Sequence, residues 1–388
     1  MIKYLFYTII LLYAHPSISE DFTSYISGDP EDTNVKPLGG ICMMGGAGEN
    51  DNAMKWFLER AAGGDVVVMR TSGEDGYNDY LFSELNVSVN SVETLVFHNR
   101  TASFDEYVLE SIKKAEAIWF AGGNQFEYIS YWRNTPLDSI INHNVDNKNI
   151  VIGGISAGMA ILGGLYFSAE NGSVTSEQAL EDPYDQRITI DNEEFIGIKQ
   201  LKKVITDTHY DDPDRKGRHV VFLARILNDH GIAAKGLACD EYTAICIDTV
   251  GKASIYGNYP DYEDNAYFIR INEDNTDIYP EKCQPDTPLE WMKNKKILKV
   301  YKVSGNENGT NTFDLCSWKK GKGGKWHYWY VESGVLHEST SMSHLPAEGI
   351  YPNISISPNP VKEIITVDSD DPLLKISISN LAGSIIYD

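Results

Sequence analysis

The chain has 388 residues, 42% of them hydrophobic and 11% aromatic, which is long and apolar enough for one large globular domain with smaller ones beside it. A formal net charge of −23 argues against nucleic acid and anionic membranes as partners. The five cysteines are odd in number and show no Cys-x-x-Cys spacing, so neither a metal site nor a disulfide framework is predicted.

The N-terminal residues are typical of a secretory signal peptide. Lys3 precedes an apolar run over residues 5–13, and Ser17 and Ser19 are small residues at positions −3 and −1 of a cleavage site. The run is shorter than the roughly 20 apolar residues that span a membrane, and no other segment reaches that length. We therefore predict a signal peptide over residues 1–19, export of the protein, and no membrane span.

Short apolar runs then alternate with amphipathic stretches up to residue 152. Buried strands are predicted for the runs at 41–44, 66–69, 94–97, 118–120 and 150–152. Apolar side chains at three- and four-residue spacing predict helices over 52–62 and 104–115. Strands and helices that alternate in this way predict an α/β fold, with a largely parallel sheet covered by helices on both faces. In such sheets ligands bind at the carboxyl ends of the strands.

A serine follows the last of these strands on a glycine turn. Gly154-Ile155-Ser156-Ala157-Gly158 lies between the strand at 150–152 and a helix predicted over 157–162, which is typical of a nucleophile elbow. The same Gly-x-Ser-x-Gly pattern also occurs by chance in loops. The strand before it and the helix after it favour a nucleophile.

A serine nucleophile needs a base within hydrogen-bond reach, most often a histidine, whose unperturbed pKa is about 6.5. A strand is predicted over 201–205, a helix over 219–227, and two more strands within 236–247. His209 lies in the loop after the first of these strands, at the same end of the sheet as Ser156. It is therefore the best candidate among the nine histidines of the chain.

The third catalytic residue should be a carboxylate that fixes the tautomer of the imidazole. Glu170, Glu177 and Asp207 all lie near enough in the chain, and each is equally well explained as a surface acid. The residues alone leave this choice open.

An oxyanion hole needs two N–H donors aimed at the developing charge. Ala157 supplies one, and Gly123, in a glycine turn at residues 120–125, is predicted to supply the second, with Gln125 as a nearby polar side chain. A first glycine turn at residues 45–48 resembles a phosphate-binding loop only loosely. No nucleotide, metal or other cofactor is therefore predicted.

The composition changes beyond about residue 285. Trp318, Trp326 and further aromatic residues surround a hairpin signal at 321–324, which predicts a small β-rich appendage over 286–346. Its aromatic side chains fit a ligand platform or, more simply, packing onto the main domain. A linker at 346–352 and short strands over 354–388 complete the predicted C-terminal β modules.

Together, these motifs resemble the serine peptidases that include cyanophycinase and the aspartyl dipeptidase. The resemblance covers roughly residues 37–270 and rests on the segments 39–48, 120–125, 154–158, 207–218 and 236–244. It implies a class I glutamine-amidotransferase-like, flavodoxin-like sheet in a catalytic domain over 37–285. It further implies that Ser156 is the nucleophile and His209 its base, that Gly123 and Ala157 form the oxyanion hole, and that Gln125 contacts the substrate.

The resemblance also implies an acid between Ser156 and His209. Glu170 is the prediction for this acid, with Glu177 as the runner-up. Arg215 and Arg218 match basic residues that follow the histidine in cyanophycinase, which implies a bidentate grip on a substrate carboxylate. The alternative is that the two arginines neutralise the acids of the loop at 211–214.

The tail carries a second resemblance. The segments 356–361 and 376–383 resemble the C-terminal sorting domain of proteins exported by the type IX secretion system of Bacteroidetes. Such a domain over residues 350–388 implies the type IX machinery as a partner and a secreted or cell-surface location. It also ends earlier than is usual for such domains, which predicts a truncated one.

The leading hypothesis is thus an exported serine peptidase that needs no cofactor and cleaves peptide or isopeptide bonds, aspartyl peptides among them. An α/β-hydrolase esterase also uses Gly-x-Ser-x-Gly, but its histidine normally lies much further downstream than His209 does from Ser156. A non-catalytic surface protein on the same scaffold is the alternative of a different class. The substrate, the choice between endo- and exopeptidase action, and the oligomeric state are not predicted.

Overall fold

The computed structural model describes residues 21–340, together with the backbone of five short strands outside that range. The chain divides into two compact units, one ending at Ser341 and the other spanning Met342–Asp388. In the second unit, four short strands form two antiparallel pairs. The rest of the predicted signal peptide (1–19) and of the predicted sorting domain (350–388) lies outside the described residues, so both stay predictions.

The first unit alternates strands and helices up to about residue 230 and is almost purely β-structured after it. In chain order, the two units together contain the following strands and helices. The strands are β1 (Ser17–Ile18), β2 (Phe22–Gly28), β3 (Gly40–Met44), β4 (Asp65–Arg70), β5 (Ser91–Phe97), β6 (Ala117–Phe120), β7 (Val151–Ile155), β8 (Tyr166–Phe167), β9 (Ile190–Asp191), β10 (Val204–Asp207), β11 (Lys235–Cys239), β12 (Ala244–Ile247), β13 (Lys252–Tyr256), β14 (Asn265–Ile271), β15 (Leu298–Ser304), β16 (Asn311–Asp314), β17 (Gly321–Lys322), β18 (Lys325–Glu332), β19 (Val335–Thr340), β20 (Ile354–Ser357), β21 (Thr366–Ser369), β22 (Ile378–Ser379) and β23 (Ile385–Tyr387). The α-helices are α1 (Asp51–Arg60), α2 (Gly76–Asp79), α3 (Glu106–Lys114), α4 (Gln125–Trp132), α5 (Pro136–His143), α6 (Ala157–Ala160), α7 (Ser176–Glu181) and α8 (Lys216–His230).

Eleven of the described strands form one sheet, whose centre is parallel. The order at the centre is β5-β4-β6-β7-β3, and each of these neighbours pairs in parallel. Strands β3 and β6 and the interior of β4 are apolar, which is typical of strands that helices cover on both faces, whereas β5 also contains Ser91, Glu93 and Thr94. Antiparallel strands extend both sides, with β2 beside β5 and β12 beside β3. The predicted α/β fold with helices flanking a large sheet is confirmed.

The two helices predicted early in the chain are present and are set by local signals. In α1 the Asn50 side chain caps the first turn, and Met54, Phe57 and Leu58 are buried on one face. In α3 the Asp105 side chain accepts hydrogen bonds from the first turn, while lysines occupy the last turn. Each helix therefore lays an apolar stripe on the sheet and shows its polar face to solvent.

The segment predicted as an appendage is part of the first unit. Strand β15 pairs with β14 along seven residues and, with β18 and β19, extends a second sheet of order β10-β11-β14-β15-β18-β19. Strand β16 instead pairs with β13 on the first sheet. Trp318 and Trp329 are buried, which agrees with packing rather than with an exposed ligand platform. The correction arises because antiparallel ladders continue across residue 285, where the sequence composition changes.

One of the connections between the two sheets is the chain segment between β11 and β12. Strand β11 belongs to the second sheet and pairs in parallel with β10, whereas β12 belongs to the first and pairs with β3. The short connection at residues 240–243 therefore crosses from one sheet to the other. It passes the carboxyl ends of β10 and β3, where the candidate site is built.

Candidate active site

Ser156 lies at the tip of the turn between β7 and α6, as the glycine pattern predicted. Its backbone has φ 53° and ψ −117°, a left-handed conformation that a residue with a side chain rarely adopts. A methyl group on Gly154 would lie 2.6 Å from the backbone of Gly158, and one on Gly158 would lie 2.1 Å from the carbonyl oxygen of Phe120. The sharp turn thus requires glycine on both sides of the serine.

Three side chains form a continuous hydrogen-bonded series. Ser156 Oγ lies 2.8 Å from His209 Nε2, and His209 Nδ1 lies 2.5 Å from Glu241 Oε1. His209 and Glu241 are each about a quarter exposed. A carboxylate on Nδ1 fixes the tautomer in which Nδ1 carries the proton, so Nε2 is free to accept the proton of the serine. This is the arrangement of a nucleophile, its base and the acid that orients the base.

The acid differs from the sequence-based choice. Glu170 is exposed, and its backbone N–H donates to the hydroxyls of Ser168 and Thr189. Glu177 is exposed in the first turn of α7. The structure instead brings Glu241 to His209, because β10 and β11 are parallel neighbours and the chain turns at their carboxyl ends. That adjacency is the signal that points to Glu241, which lies two residues after β11.

Asp207, the third acid considered, has a different role. Arg218 donates to both of its oxygens, from Nε at 2.9 Å and from Nη2 at 2.5 Å, and both side chains are almost fully buried. Burial alone would raise the pKa of Asp207, but the neighbouring Arg218 outweighs it and holds that pKa below its ordinary value. Asp207 is therefore a structural anion at the end of β10.

The same contacts correct the prediction that Arg218 grips a substrate. Its remaining nitrogen donates to Ser173 Oγ at 3.0 Å, and its guanidinium lies over the rings of Phe167 and Phe222. A side chain whose nitrogens are all engaged inside the protein has none left for a ligand. The predicted alternative, neutralisation of the acids at 211–214, does not apply to it either, since its partner is Asp207.

For Arg215, the predicted contact with a substrate carboxylate stays a prediction. Its Nη1 donates to the Thr208 carbonyl oxygen at 3.1 Å, next to His209, and its buried Nε has no hydrogen-bond partner in the described part of the chain. Burial lowers the pKa of Arg215, Arg218 lowers it further, and Asp207 and Glu241 act in the opposite direction. The guanidinium is thus held beside the catalytic residues with hydrogen-bonding capacity unused.

The first glycine turn, at residues 45–48, supports the catalytic residues. The carbonyl oxygen of Gly45 accepts from the His209 N–H at 2.9 Å, and that of Gly46 accepts from the Tyr242 N–H at 3.1 Å. Gly46 has φ +138°, and a methyl group there would lie 2.2 Å from His209 Cε1. Met44, the last residue of β3, accepts from the Ser156 N–H at 3.0 Å. The end of β3 and the glycine turn after it therefore hold the backbone at Ser156, at His209 and next to Glu241.

The oxyanion donors are only partly defined by the contacts. Within residues 21–340 no hydrogen bond is made by the N–H of Ala157, the first residue of α6. A methyl group on Gly122 would lie 3.7 Å from Ser156 Cβ, whereas one on Gly123 would meet the Tyr128 hydroxyl at 2.4 Å. Gly122 thus faces the serine, and the assignment of the second donor to Gly123 stays a prediction.

Gln125 begins α4, directly after the same glycine turn. Its Nε2 donates to the carbonyl oxygen of Phe167 at 2.5 Å. One of its two amide hydrogens is thereby used within the protein. Its predicted substrate contact stays a prediction.

Two buried ionisable residues, His219 and Asp240, follow closely in the chain on His209 and precede Glu241, respectively. His219 is fully buried, its nitrogens lie 3.2 Å from Tyr210 Oη and from the Ile205 carbonyl oxygen, and burial lowers its pKa to about 4. Asp240, the neighbour of Glu241, is buried and accepts from Asn265, and burial with the nearby Asp211 raises its pKa to about 7. His219 is thus a neutral structural residue, and Asp240 is partly protonated near neutral pH.

Residues 21–340 bring together no group of three or more His, Cys, Asp or Glu side chains that could hold a metal ion. No helix among the described residues is long and apolar enough to cross a membrane.

The contacts of Ser156, His209 and Glu241 on an α/β sheet are those of a serine hydrolase. Comparison with known families narrows this class, because residues 76–253 match peptidase family S51 and include all three side chains. The match covers 178 residues, a little under half of the chain.

The similar curated proteins are cyanophycinases. Those of Synechococcus elongatus and Thermosynechococcus vestitus are 24% identical over 210 residues, which is 52% of this chain and 59% of theirs. That of Geminocystis herdmanii is 25% identical over 180 residues, 45% of this chain and 60% of its own. The chain thus spans about three-fifths of the length of these relatives.

Two solved structures are also similar in part. A peptidase from an acI-B1 Actinobacterium has a TM-score of 0.47 at 14% identity and covers 72% of this chain and 98% of its own. A putative peptidase E protein from Listeria monocytogenes has a TM-score of 0.35 at 15% identity and covers 57% of this chain and 98% of its own.

Proposed function

We propose that this protein is an exported serine peptidase that hydrolyses peptide or isopeptide bonds through Ser156, His209 and Glu241. The observation that carries the proposal is the pair of contacts at 2.8 and 2.5 Å that joins these three side chains on a strained turn. The match of residues 76–253 to a peptidase family supports the same reaction.

The geometry supports an acyl-enzyme mechanism. Ser156 Oγ attacks the carbonyl carbon while His209 Nε2 takes its proton, and Glu241 stabilises the imidazolium that forms. The Ala157 N–H, at the start of α6, donates to the developing oxyanion. His209 then protonates the leaving amine, and water, activated by the same nitrogen, releases the acyl group from the serine.

The substrate class that we propose is a peptide with a free carboxylate, such as an aspartyl peptide. Support comes from Arg215, whose Nη1 donates to the Thr208 carbonyl oxygen next to His209 and whose Nη2 makes no hydrogen bond within residues 21–340. A guanidinium with unused donors recognises a carboxylate well, since the two groups match in geometry and charge. The curated relatives are named cyanophycinases, which agrees with a peptide substrate.

A fluorophosphonate probe tests the nucleophile directly. We expect intact-mass analysis to show one label on the full-length protein and none on Ser156→Ala, with both proteins folded by circular dichroism. The parent protein that has not met the probe should cleave aspartyl peptides faster than the same peptides with the carboxylate amidated.

Two results would argue against this function. Labelling that persists in Ser156→Ala would refute Ser156 as the nucleophile. A folded protein that neither reacts with the probe nor cleaves any peptide of the panel would favour a non-catalytic binding protein on this scaffold.

The proposed export rests on the sequence of residues 1–19 and 350–388. Full-length protein made in a bacterium with type IX secretion should be recovered from the cell surface or the medium, with a mature N-terminus at Glu20. Protein that stays inside the cells with Met1 in place would contradict it.

A further inference from the structure

A cleft of about 570 Å³ lies at the amino ends of β10 and β11. It is bounded by the residues that lead into β10, by the turn between β12 and β13, and by the segment after β16. His209 follows the opposite, carboxyl end of β10. The cleft is therefore separated from Ser156, His209 and Glu241 by the length of that strand and is a feature distinct from the catalytic site.

The rim of this cleft is positively charged. Four lysines line it, namely Lys199, Lys202, Lys203 and Lys235. None of the four has an ion pair with a carboxylate in the described part of the chain, although lysines elsewhere, such as Lys216 and Lys299, do. The chain has 56 acidic and 33 basic residues, so four unpaired lysines around one cleft concentrate positive charge where the whole molecule is negative.

Lys235 is the least exposed of the four lysines. Its ammonium lies 4.8 Å above the ring of Trp318 and is half-buried. Burial lowers the pKa of Lys235, and the charges of Arg270 and Lys203 lower it further. Glu273 acts against them, but it is shared with Arg270 and with Lys319 at 3.2 Å. A bound anion would relieve this repulsion.

The floor of the cleft is apolar. Val204, Leu315 and Trp318 are buried residues that line it, and Val250 stands exposed at its edge. A small inorganic anion would contact the lysines but would leave Val250 exposed to water. A ligand that fits both the rim and the floor carries carboxylates and apolar groups on one extended chain.

We propose that this cleft binds an acidic peptide segment. Its carboxylates contact the four lysines, and an apolar side chain contacts Val250, which is 73% exposed at the edge of the cleft. The binding is separate from hydrolysis and does not depend on the peptidase function proposed above.

The test uses full-length Ser156→Ala, so that the probe stays intact, and fluorescence anisotropy of a fluorescein-labelled peptide of alternating Glu and Leu. We expect saturable binding that weakens at high salt, and at least about tenfold weaker binding of the same peptide with Gln in place of Glu. The variant that also carries Lys199→Gln, Lys202→Gln and Lys203→Gln should bind the acidic peptide about tenfold more weakly.

A matched control changes three exposed lysines that do not line the cleft, Lys36→Gln, Lys114→Gln and Lys322→Gln, and so alters the net charge by the same amount. This control should bind as tightly as the parent. All altered lysines are exposed, and the melting temperature checks that each variant is folded. Absence of binding, equal binding of the Gln peptide, or equal weakening in the control variant would overturn the proposal. Binding of citrate without binding of the peptide would overturn it in favour of a small-anion site.

Discussion

In the proposed mechanism Glu241 orients His209, because its contact with Nδ1 favours the tautomer that carries the proton there and leaves Nε2 to the serine. We expect Glu241→Gln to lower kcat by roughly 10³- to 10⁴-fold, since the amide keeps the shape of the side chain but favours the wrong tautomer and cannot stabilise the imidazolium. Steady-state hydrolysis of the best aspartyl peptide measures the effect.

The matched control is Glu170→Gln, the same change at the acid that the sequence favoured. Because Glu170 is exposed, its kcat should stay within twofold or so of the parent. A large loss in Glu170→Gln together with near-normal activity in Glu241→Gln would reverse the assignment of the acid.

Ser156 and His209 were predictable because each carries a local signal. Ser156 lies between glycines after an apolar strand, and His209 follows another such strand. Glu241 has no comparable signal, since it is one of several acids that follow strands. Its role depends on which strands are neighbours, and an apolar run does not encode its neighbour in the sheet.

At the scale of elements, the buried pair of Asp207 and Arg218 joins the end of β10 to the start of α8. Asp207→Asn leaves the guanidinium buried without its counter-charge, so we expect the free energy of unfolding to fall by about 3–5 kcal/mol at pH 7. Urea unfolding measures the change. Asp212→Asn, an exposed acid in the following loop, should change it by less than about 0.5 kcal/mol.

The stability that Asp207 and Arg218 contribute should decrease as the pH falls. The pKa of Asp207 is lower in the folded chain than in the unfolded chain, where it is about 3.9. The pair therefore contributes its full stability above that value and loses it as the pH falls through the lower folded pKa. The difference between parent and Asp207→Asn should shrink below about pH 4. A difference that is constant from pH 7 to pH 3 would show that the pair is not the cause.

The strands at the centre of the first sheet were predictable, because a parallel strand covered on both faces is a short and nearly continuous apolar run. Strand β2 was not predicted, and β12 falls within the strands predicted over 236–247 but without its antiparallel direction, since an apolar run does not show the direction of its neighbour. The pairing of β15 with β14 was missed for the same reason. The aromatic residues after position 285 mark a core there but do not show which sheet they cover.

At the scale of the whole molecule, the boundary of the folded catalytic unit lies near residue 341 rather than residue 285. A chain cut after Ser341 should keep the melting temperature of the first unit and its reaction with the serine probe. A chain cut after Pro285 should fail to fold, because it removes the partners of β13 and β14. Differential scanning calorimetry and probe labelling compare the two, and native-like unfolding of the shorter chain would refute this boundary.

The connection between β11 and β12 crosses from one sheet to the other and carries Glu241 on the way. Ser156 follows the carboxyl end of β7 in the first sheet, and His209 lies just beyond the carboxyl end of β10 in the second. The proposed reaction therefore requires the two sheets to hold a fixed position relative to each other. Loss of the proposed hydrolysis would thus report a shift between the two sheets that is too small to change the secondary structure.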